Sequence, residues 1–190
     1  MAPLKEAFGE AGFAQIEFVA ADLLDAESID RAVAGQDVVV HCASPLPLGV
    51  PSDEQVLIKP ALEGTLAVMR AAQKHGVKRV VITSSGLTIT LDKQENWKKS
   101  YNEDDWSDPD CLGPYEKSKY LAEKAAWDFV AALPEDQRFE LVSVIPSLVL
   151  GPPLIKGDYS SGNYLKMLLQ GKMPALPRIK LAIVDVREVA

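Results

Sequence analysis

The sequence predicts an α/β protein built on a parallel β-sheet, and three observations support this prediction. Short β-branched runs alternate along the chain with longer amphipathic segments. The runs are mostly apolar, as is typical of strands that are buried on both faces of a parallel sheet. The 190 residues are 47% apolar and 25% charged, which is close to the average of globular domains.

The N-terminal part of the chain contains two predicted strands with a short helix between them. Residues 16–20 (IEFVA) have the composition of a short strand. A helix is predicted over 27–34, with Asp25 or Ser28 as its N-cap. The β-branched run 37–41 (DVVVH) lies between turn residues and predicts a buried parallel strand.

A long amphipathic helix is predicted over 53–75, because apolar residues recur there every three or four positions. Pro60 is a candidate site for a kink in this helix. Gly76 stands where a C-cap glycine is expected. The run 79–83 (RVVIT) follows at once and predicts a second buried strand.

The second half of the chain begins with a polar segment, 87–114, which is predicted to be a long surface excursion. Helix is predicted to resume over 115–132, and residues 140–145 (ELVSVI) predict a third buried strand. The tail contains a predicted helix near 163–169 and a strand-like stretch over 181–186.

Composition argues against several classes of function. The net charge of −7 is the opposite of a nucleic-acid footprint, and no apolar run approaches the ~20 residues of a membrane helix. Cys42 and Cys111 are too few for a disulfide framework, so a cytoplasmic location is expected. His41 and His75 lack partners at ligand spacing, so no metal site is expected.

Small and polar residues follow each predicted strand, at the edge where parallel α/β sheets bind ligands. Small side chains let a ligand approach the backbone closely, and an aspartate at a strand end can accept hydrogen bonds from an adenine or ribose. Each cluster alone also fits a plain structural role, such as a helix cap at Asp22 or a turn at Ser44. The clusters are Asp22-Leu23, Cys42-Ala43-Ser44-Pro45, Ser84-Ser85-Gly86 and Pro146-Ser147-Leu148-Val149.

Tyr115 and Lys119 are four residues apart at a predicted helix start, which places them on one helix face. A nearby ammonium favours the phenolate, so the pKa of Tyr115 is predicted to be lowered and the phenol to become a general acid–base. The spacing alone is weak, because Tyr120 and Lys124 repeat it. Tyr115 and Lys119 are favoured over the second pair because two serines, Ser84 and Ser85, lie upstream at the end of a predicted strand.

The chain resembles the extended short-chain dehydrogenase/reductase family, and within it the branch of dihydroflavonol 4-reductase, cinnamoyl-CoA reductase and fungal aldehyde reductases. The matching stretches lie in the family's order over essentially the whole chain. They are VAADLLD (19–25), DVVVHCASP (37–45), VLIKPALEGTLAVMRAA (56–72), KRVVITSS (78–85), YEKSKYLAEKAAW (115–127) and IPSLVLGPP (145–153).

The resemblance implies a Rossmann-type, doubly wound sheet and an enzyme that reduces the carbonyl of a small-molecule ketone or aldehyde. It implies NADP as the cofactor, with NAD possible, and a catalytic set of Ser85, Tyr115 and Lys119. A sugar-nucleotide epimerase or dehydratase is the alternative within the family. The alternative of another class is a non-catalytic nucleotide-sensing or scaffold protein of the same fold, or a truncated inactive protein. The implied cofactor-binding residues are Asp22, Leu23, Cys42, Ala43, Ser44, Tyr115, Lys119, Pro146, Ser147, Leu148 and Val149.

The chain departs from the family's pattern at its start, where the glycine-rich turn G-x-x-G-x-x-G is absent. Gly9 and Gly12 imitate part of it, but Gln15 takes the third glycine position, and a helix C-terminal turn is the better interpretation. We therefore expect a fragment: residues 1–155 as a partial NAD(P)-binding domain and 156–190 as the start of a substrate-binding region. Either a monomer or a homodimer is compatible with the sequence.

Overall fold

The computed structural model describes residues 2–46, 49, 51–153, 160–173 and 182–190. The chain divides into two compact units, Ala20–Pro146 and Met1–Val19 with Ser147–Ala190. The boundary expected between residues 155 and 156 lies outside the described residues. Across the described ranges, none of the helices combines the length and the apolar character needed to span a membrane.

The larger unit contains a three-stranded parallel sheet among its described residues. Its strands are β1 (Val38–His41), β2 (Arg79–Thr83) and β3 (Glu140–Val144), in the order β1-β2-β3. His41 is in register with Ile82, and Thr83 with Val144, so the carboxyl ends of all three strands meet at one edge. The α/β class and the positions of these three strands are confirmed. The predicted burial of β1 is wrong, because Val38 and Val40 are 50% and 63% exposed.

Three helices cover this sheet: α2 (Ala26–Val33), α3 (Gln55–His75) and α4 (Pro114–Ala132). Burial of their apolar faces, at roughly 25 cal/mol per Å² of apolar surface, is what holds them on the strands. Met69 and Val80 are completely buried at the centre. The other buried members of this core are Ile29, Val33, Ala67, Val68, Ala71, Ala72, Val77, Ile82, Ala126, Phe139 and Leu141.

Helix α3 ends as predicted at a left-handed glycine. Gly76 has φ 68° and ψ 34°, and its N–H donates to the carbonyl oxygens of Ala72 and Gln73. A side chain at this φ would be strained, which explains the glycine. The helix continues through Pro60, which lies close to its start.

Helix α2 is capped by Asp25, the first of the two predicted N-caps. The Asp25 carboxylate accepts from the N–H groups of Glu27 and Ser28 at 3.1 and 3.2 Å. We expect Asp25→Ala to lower the free energy of unfolding by about 1 kcal/mol, because these two donors lose their acceptor. Urea denaturation of the intact protein measures this, and Asp25→Asn, which keeps a capping oxygen, should stay close to wild type.

The strand predicted over 16–20 is wrong, because these residues have no regular secondary structure. Strand-forming residues need a neighbouring ladder to pair with, and no described strand pairs with this segment. The chain before it forms α1 (Ala2–Phe13), interrupted at Gly9, which has φ 69°. Gly9 and Gly12 therefore belong to a helical segment, as the sequence indicated, and not to a strand–turn–helix unit.

The smaller unit contains a two-stranded parallel sheet, β4 (Leu148–Leu150) with β5 (Ile183–Asp185). Helix α5 (Ser160–Leu169) and the short α6 (Val186–Val189) complete its regular structure among the described residues. The predicted tail helix and strand are confirmed with shifted ends, and Leu181 lies outside the described residues. Strand β4 was not predicted, because the sequence indicated only a strand-end cluster there.

The polar segment between β2 and α4 is irregular, as predicted, and contains short 3₁₀ turns at Gly86–Thr88, Gln94–Asn96 and Pro109–Cys111. Ser107 makes two hydrogen bonds that hold this segment in place. Its N–H donates to the carbonyl oxygen of Thr88 at 2.8 Å, and its hydroxyl donates to the carbonyl oxygen of Leu87 at 2.9 Å. The segment is thereby held against the carboxyl end of β2.

Candidate functional site

The candidate site is built around the carboxyl end of β2, where the strand passes into the Gly86–Thr88 turn. Ser85 is buried and caps this turn, with its Oγ accepting from the N–H of Leu87 at 3.3 Å. The N–H of Gly86 donates to the carbonyl of Pro146 at 2.8 Å. The backbone around Ser85 is therefore fixed on two sides.

Lys119 extends from α4 to the same strand end. Its Nζ donates to the carbonyl oxygen of Thr83 at 2.7 Å, and the side chain is buried. Burial lowers the pKa of the Lys119 ammonium, while Cys42 and Glu123 nearby oppose this change. A buried cation is thus held one residue before the Ser84–Ser85 pair.

Tyr115 lies one helical turn before Lys119, in the first turn of α4, and is half-buried. Burial raises the pKa of the Tyr115 phenol, and the negative charge of Glu116 adds to the increase. The predicted lowering of this pKa is therefore wrong for this structure, in which desolvation of the phenolate is the main cause of the opposite change. The phenol stays protonated at neutral pH, which is the form a proton donor needs.

Glu123 is a buried acidic residue of the site that the sequence analysis did not single out. Its Oε2 accepts from the hydroxyl of Thr88 at 2.9 Å and from that of Ser84. All three side chains are buried. The sequence does contain one indication of its burial. Glu123 lies four residues after Lys119, on the helix face that carries Ala122 and Ala126 into the core.

His41, the last residue of β1, lies beside Lys119. Burial, followed by the positive charge of Lys119, lowers the pKa of His41 to about 4, so the ring is neutral at physiological pH. Its Nε2 lies 3.2 Å from Oγ1 of Thr65 on α3. These groups line a cavity of about 20 Å³ that also touches Ser44, Ser84 and Glu123.

The three residues after β1 differ in exposure. Cys42 and Ala43 are exposed, and the Sγ of Cys42 accepts from the hydroxyl of Thr83 at 3.2 Å. The Oγ of Ser44 is buried and has no hydrogen-bond partner among the described residues. This cluster thus lies at the same sheet edge as Ser85 and Lys119.

Asp22 and Leu23 lie just before α2. The Asp22 carboxylate accepts from the N–H of Leu24 at 2.8 Å, so part of its role is to shape this turn. The side chain of Leu23 packs over Gly64 of α3, where a Cβ would lie 2.6 Å from Leu23 Cδ2. A glycine is therefore required at position 64 for Leu23 to hold its place.

The fourth cluster is divided between the two units. Pro146 ends the larger unit after β3 and holds Gly86, as described above. Ser147, Leu148 and Val149 belong to the smaller unit, where Leu148 and Val149 are part of β4.

The second tyrosine–lysine pair has a packing role. The ring of Tyr120 packs edge-on against Trp106, with the centroids 5.3 Å apart. The Nζ of Lys124 lies 5.4 Å from the Trp106 ring, a cation–π contact. This pair therefore anchors the polar segment to α4, which distinguishes it from Tyr115 and Lys119.

Comparison with known proteins finds plant reductases that are similar to this chain. The chain is 40% identical over 140 residues to dihydroflavonol 4-reductase of Arabidopsis thaliana, covering 70% of this chain and 35% of that protein. It is 36% identical over 185 residues to cinnamoyl-CoA reductase 1 of the same plant, covering 95% of this chain and 52% of the relative. The chain thus spans about half or less of the length of these relatives.

Solved structures share the fold. Yeast methylglyoxal/isovaleraldehyde reductase, crystallised with NADPH, matches 99% of this chain and 61% of its own, with a TM-score of 0.78 and 28% identity. The Rossmann-type fold and the resemblance to the reductase branch are thereby confirmed. The sequence model of one family matches residues 2–163, which is most of the chain. On this match, the chain belongs to the 3-beta hydroxysteroid dehydrogenase/isomerase family.

Proposed function

We propose that the protein containing this chain is an NADP-dependent oxidoreductase that reduces the carbonyl of a small or medium-sized ketone or aldehyde. The observation that carries the proposal is the convergence of Ser85 and Lys119 at the carboxyl end of β2, with Tyr115 one turn earlier on α4. These are a hydroxyl donor, a protonated phenol and a buried cation.

The roles follow from the charge that develops during reduction. NADPH, when bound, supplies a hydride to the carbonyl carbon, and negative charge grows on the carbonyl oxygen. Tyr115 donates its proton to that oxygen. Its raised pKa keeps the phenol protonated until the proton is needed. Ser85 donates a hydrogen bond to the same oxygen, and the fixed backbone around it means little rearrangement is needed.

The residues at the strand ends fit a nicotinamide dinucleotide. Cys42 and Ala43 are small and exposed, so a ligand can approach the backbone there. The buried hydroxyl of Ser44 is available to a polar group of the cofactor. Lys119 would bond the nicotinamide ribose, while Asp22 and Leu23 would flank the adenine. Pro146, Ser147, Leu148 and Val149 would lie near the nicotinamide. The likeness to a reductase crystallised with NADPH supports this assignment.

The test is reductase turnover by the intact protein, followed as NADPH oxidation over a panel of ketones and aldehydes, with NADH in parallel. We expect turnover with NADPH, and a loss of about 10²-fold in kcat/KM for Lys119→Met. Lys124→Met removes an exposed cation from the same helix and should keep most of the activity. If NADPH binds but only a sugar nucleotide is converted, the reductase proposal fails and the epimerase alternative replaces it.

A further inference from the structure

Glu123 is the acidic side chain buried between β2 and α4, and two hydroxyls of one segment converge on it. Its Oε2 accepts from Ser84 at the end of β2 and from Thr88 at the end of the following turn. Its side chain is 4% exposed and that of Thr88 is completely buried. A buried carboxylate retains such partners because losing them leaves a charge without solvation.

Thr88 connects this carboxylate with the backbone of Ser85. The carbonyl oxygen of Ser85 accepts from the Thr88 N–H at 2.9 Å and lies 2.8 Å from the Thr88 hydroxyl. The single proton of this hydroxyl is shared between Ser85 and Glu123, which is 2.9 Å away. The position of Ser85 relative to α4 therefore depends on Glu123.

Glu123 also lies one helical turn after Lys119 on α4. The groups that face Lys119 are Cys42 and the neutral ring of His41 from the end of β1, the carbonyl of Thr83 from β2, and Glu123 on its own helix. Glu123 supplies negative charge next to a cation that burial disfavours. Its effect on Lys119 is through space, because its hydrogen bonds go to hydroxyls.

We propose that Glu123 is a positioning residue of the reductase site, which ties Ser85 to α4 through Thr88 and preserves the positive charge of Lys119. The proposal rests on the function proposed above. The buried carboxylate thus has two effects, one on the position of Ser85 and one on the charge of Lys119. Two different variants separate these effects. Glu123→Gln keeps an acceptor oxygen for the hydroxyls but removes the charge. Thr88→Val keeps the charge and the shape but removes the shared hydroxyl.

The first measurement does not depend on activity. In the intact protein with labelled lysine side chains, NMR follows the titration of Lys119, which is assigned by its loss in Lys119→Met. We expect Glu123→Gln to shift the Lys119 midpoint to lower pH, since a neighbouring negative charge has gone. Asp128→Asn removes a charge from an exposed position of α4 and should leave the midpoint unchanged.

The second measurement is the pH profile of kcat/KM for carbonyl reduction. We expect the alkaline limb of Glu123→Gln to move to lower pH together with the Lys119 midpoint. Thr88→Val should leave that limb in place and lower kcat by about three- to tenfold, with an unchanged KM for NADPH, because Ser85 is less firmly held.

An unchanged Lys119 midpoint in folded Glu123→Gln overturns the proposal, whether or not the protein is a reductase. If Glu123→Gln does not fold, Glu123→Asp and Thr88→Val carry the test. Wild-type kcat in both of these variants would show that neither the place of the carboxylate nor the shared hydroxyl matters, and would equally overturn it. A third outcome is that Glu123→Gln shifts the Lys119 midpoint as expected, but that neither the wild-type protein nor any variant reduces a carbonyl. This outcome would count against the proposed function alone.

Discussion

Tyr115→Phe is expected to lower kcat/KM for carbonyl reduction by about 10²–10⁴-fold, the range contributed by a positioned proton donor. The phenylalanine ring fills the same half-buried position at the start of α4, but it has no proton to give to the developing alkoxide. The Kd for NADPH should change little. Steady-state kinetics and a fluorescence titration of NADPH on the same preparation measure the two effects separately.

The matched control is Tyr120→Phe, five residues further along the same helix. The edge-on contact of Tyr120 with Trp106 involves only the ring, so phenylalanine preserves it. We expect near wild-type turnover from this variant. Equal losses in the two variants, or full activity in Tyr115→Phe, would remove Tyr115 from the catalytic set.

Ser85→Ala is expected to lower kcat by about 10²–10³-fold, which is the usual cost of removing one hydrogen bond aimed at a developing oxyanion. The Ser85 hydroxyl otherwise serves only the N–H of Leu87 among its described contacts, at 3.3 Å, so little stability should be lost. Single-turnover measurements with saturating NADPH would show whether the loss lies in the chemical step.

Ser84→Ala provides the comparison for this prediction. Adjacent residues near a strand end point to opposite sides, and the Ser84 hydroxyl is directed to the Glu123 carboxylate. We expect a smaller effect on kcat than for Ser85→Ala, because the contact between Thr88 and Glu123 remains. A larger effect would mean that Ser84 is the donor to substrate and that the register of the site is shifted by one residue.

Much of the larger unit is predictable from sequence because its signals are local and strong. The β-branched runs form β1 and β2, and Gly76 ends α3 where a left-handed residue is needed. By contrast, residues 16–20 have strand composition but no pairing partner among the described strands, and composition alone does not form a ladder. Strand β4 is short and depends on pairing with distant β5, which no local pattern indicates.

The sequence predicts which residues form the candidate site, but it does not predict their burial or the direction of their pKa shifts. Spacing places Tyr115 one turn from Lys119, but it does not reveal how deeply the phenol is buried, and burial decides the direction of its pKa. Similarly, Glu123 looks like an ordinary helical glutamate until the fold brings the hydroxyls of Ser84 and Thr88 onto it. Contacts between segments distant in sequence set both properties.

The order β1-β2-β3 has a consequence for how the chain is synthesised. Each strand pairs with the next strand in sequence, with α3 or α4 as the crossover between them. During translation these three strands therefore leave the ribosome in the order in which they lie in the described sheet, and each is followed by its pairing partner after a single crossover helix. Ser84 and Thr88 emerge before α4, so both hydroxyls that bind the Glu123 carboxylate are synthesised before it.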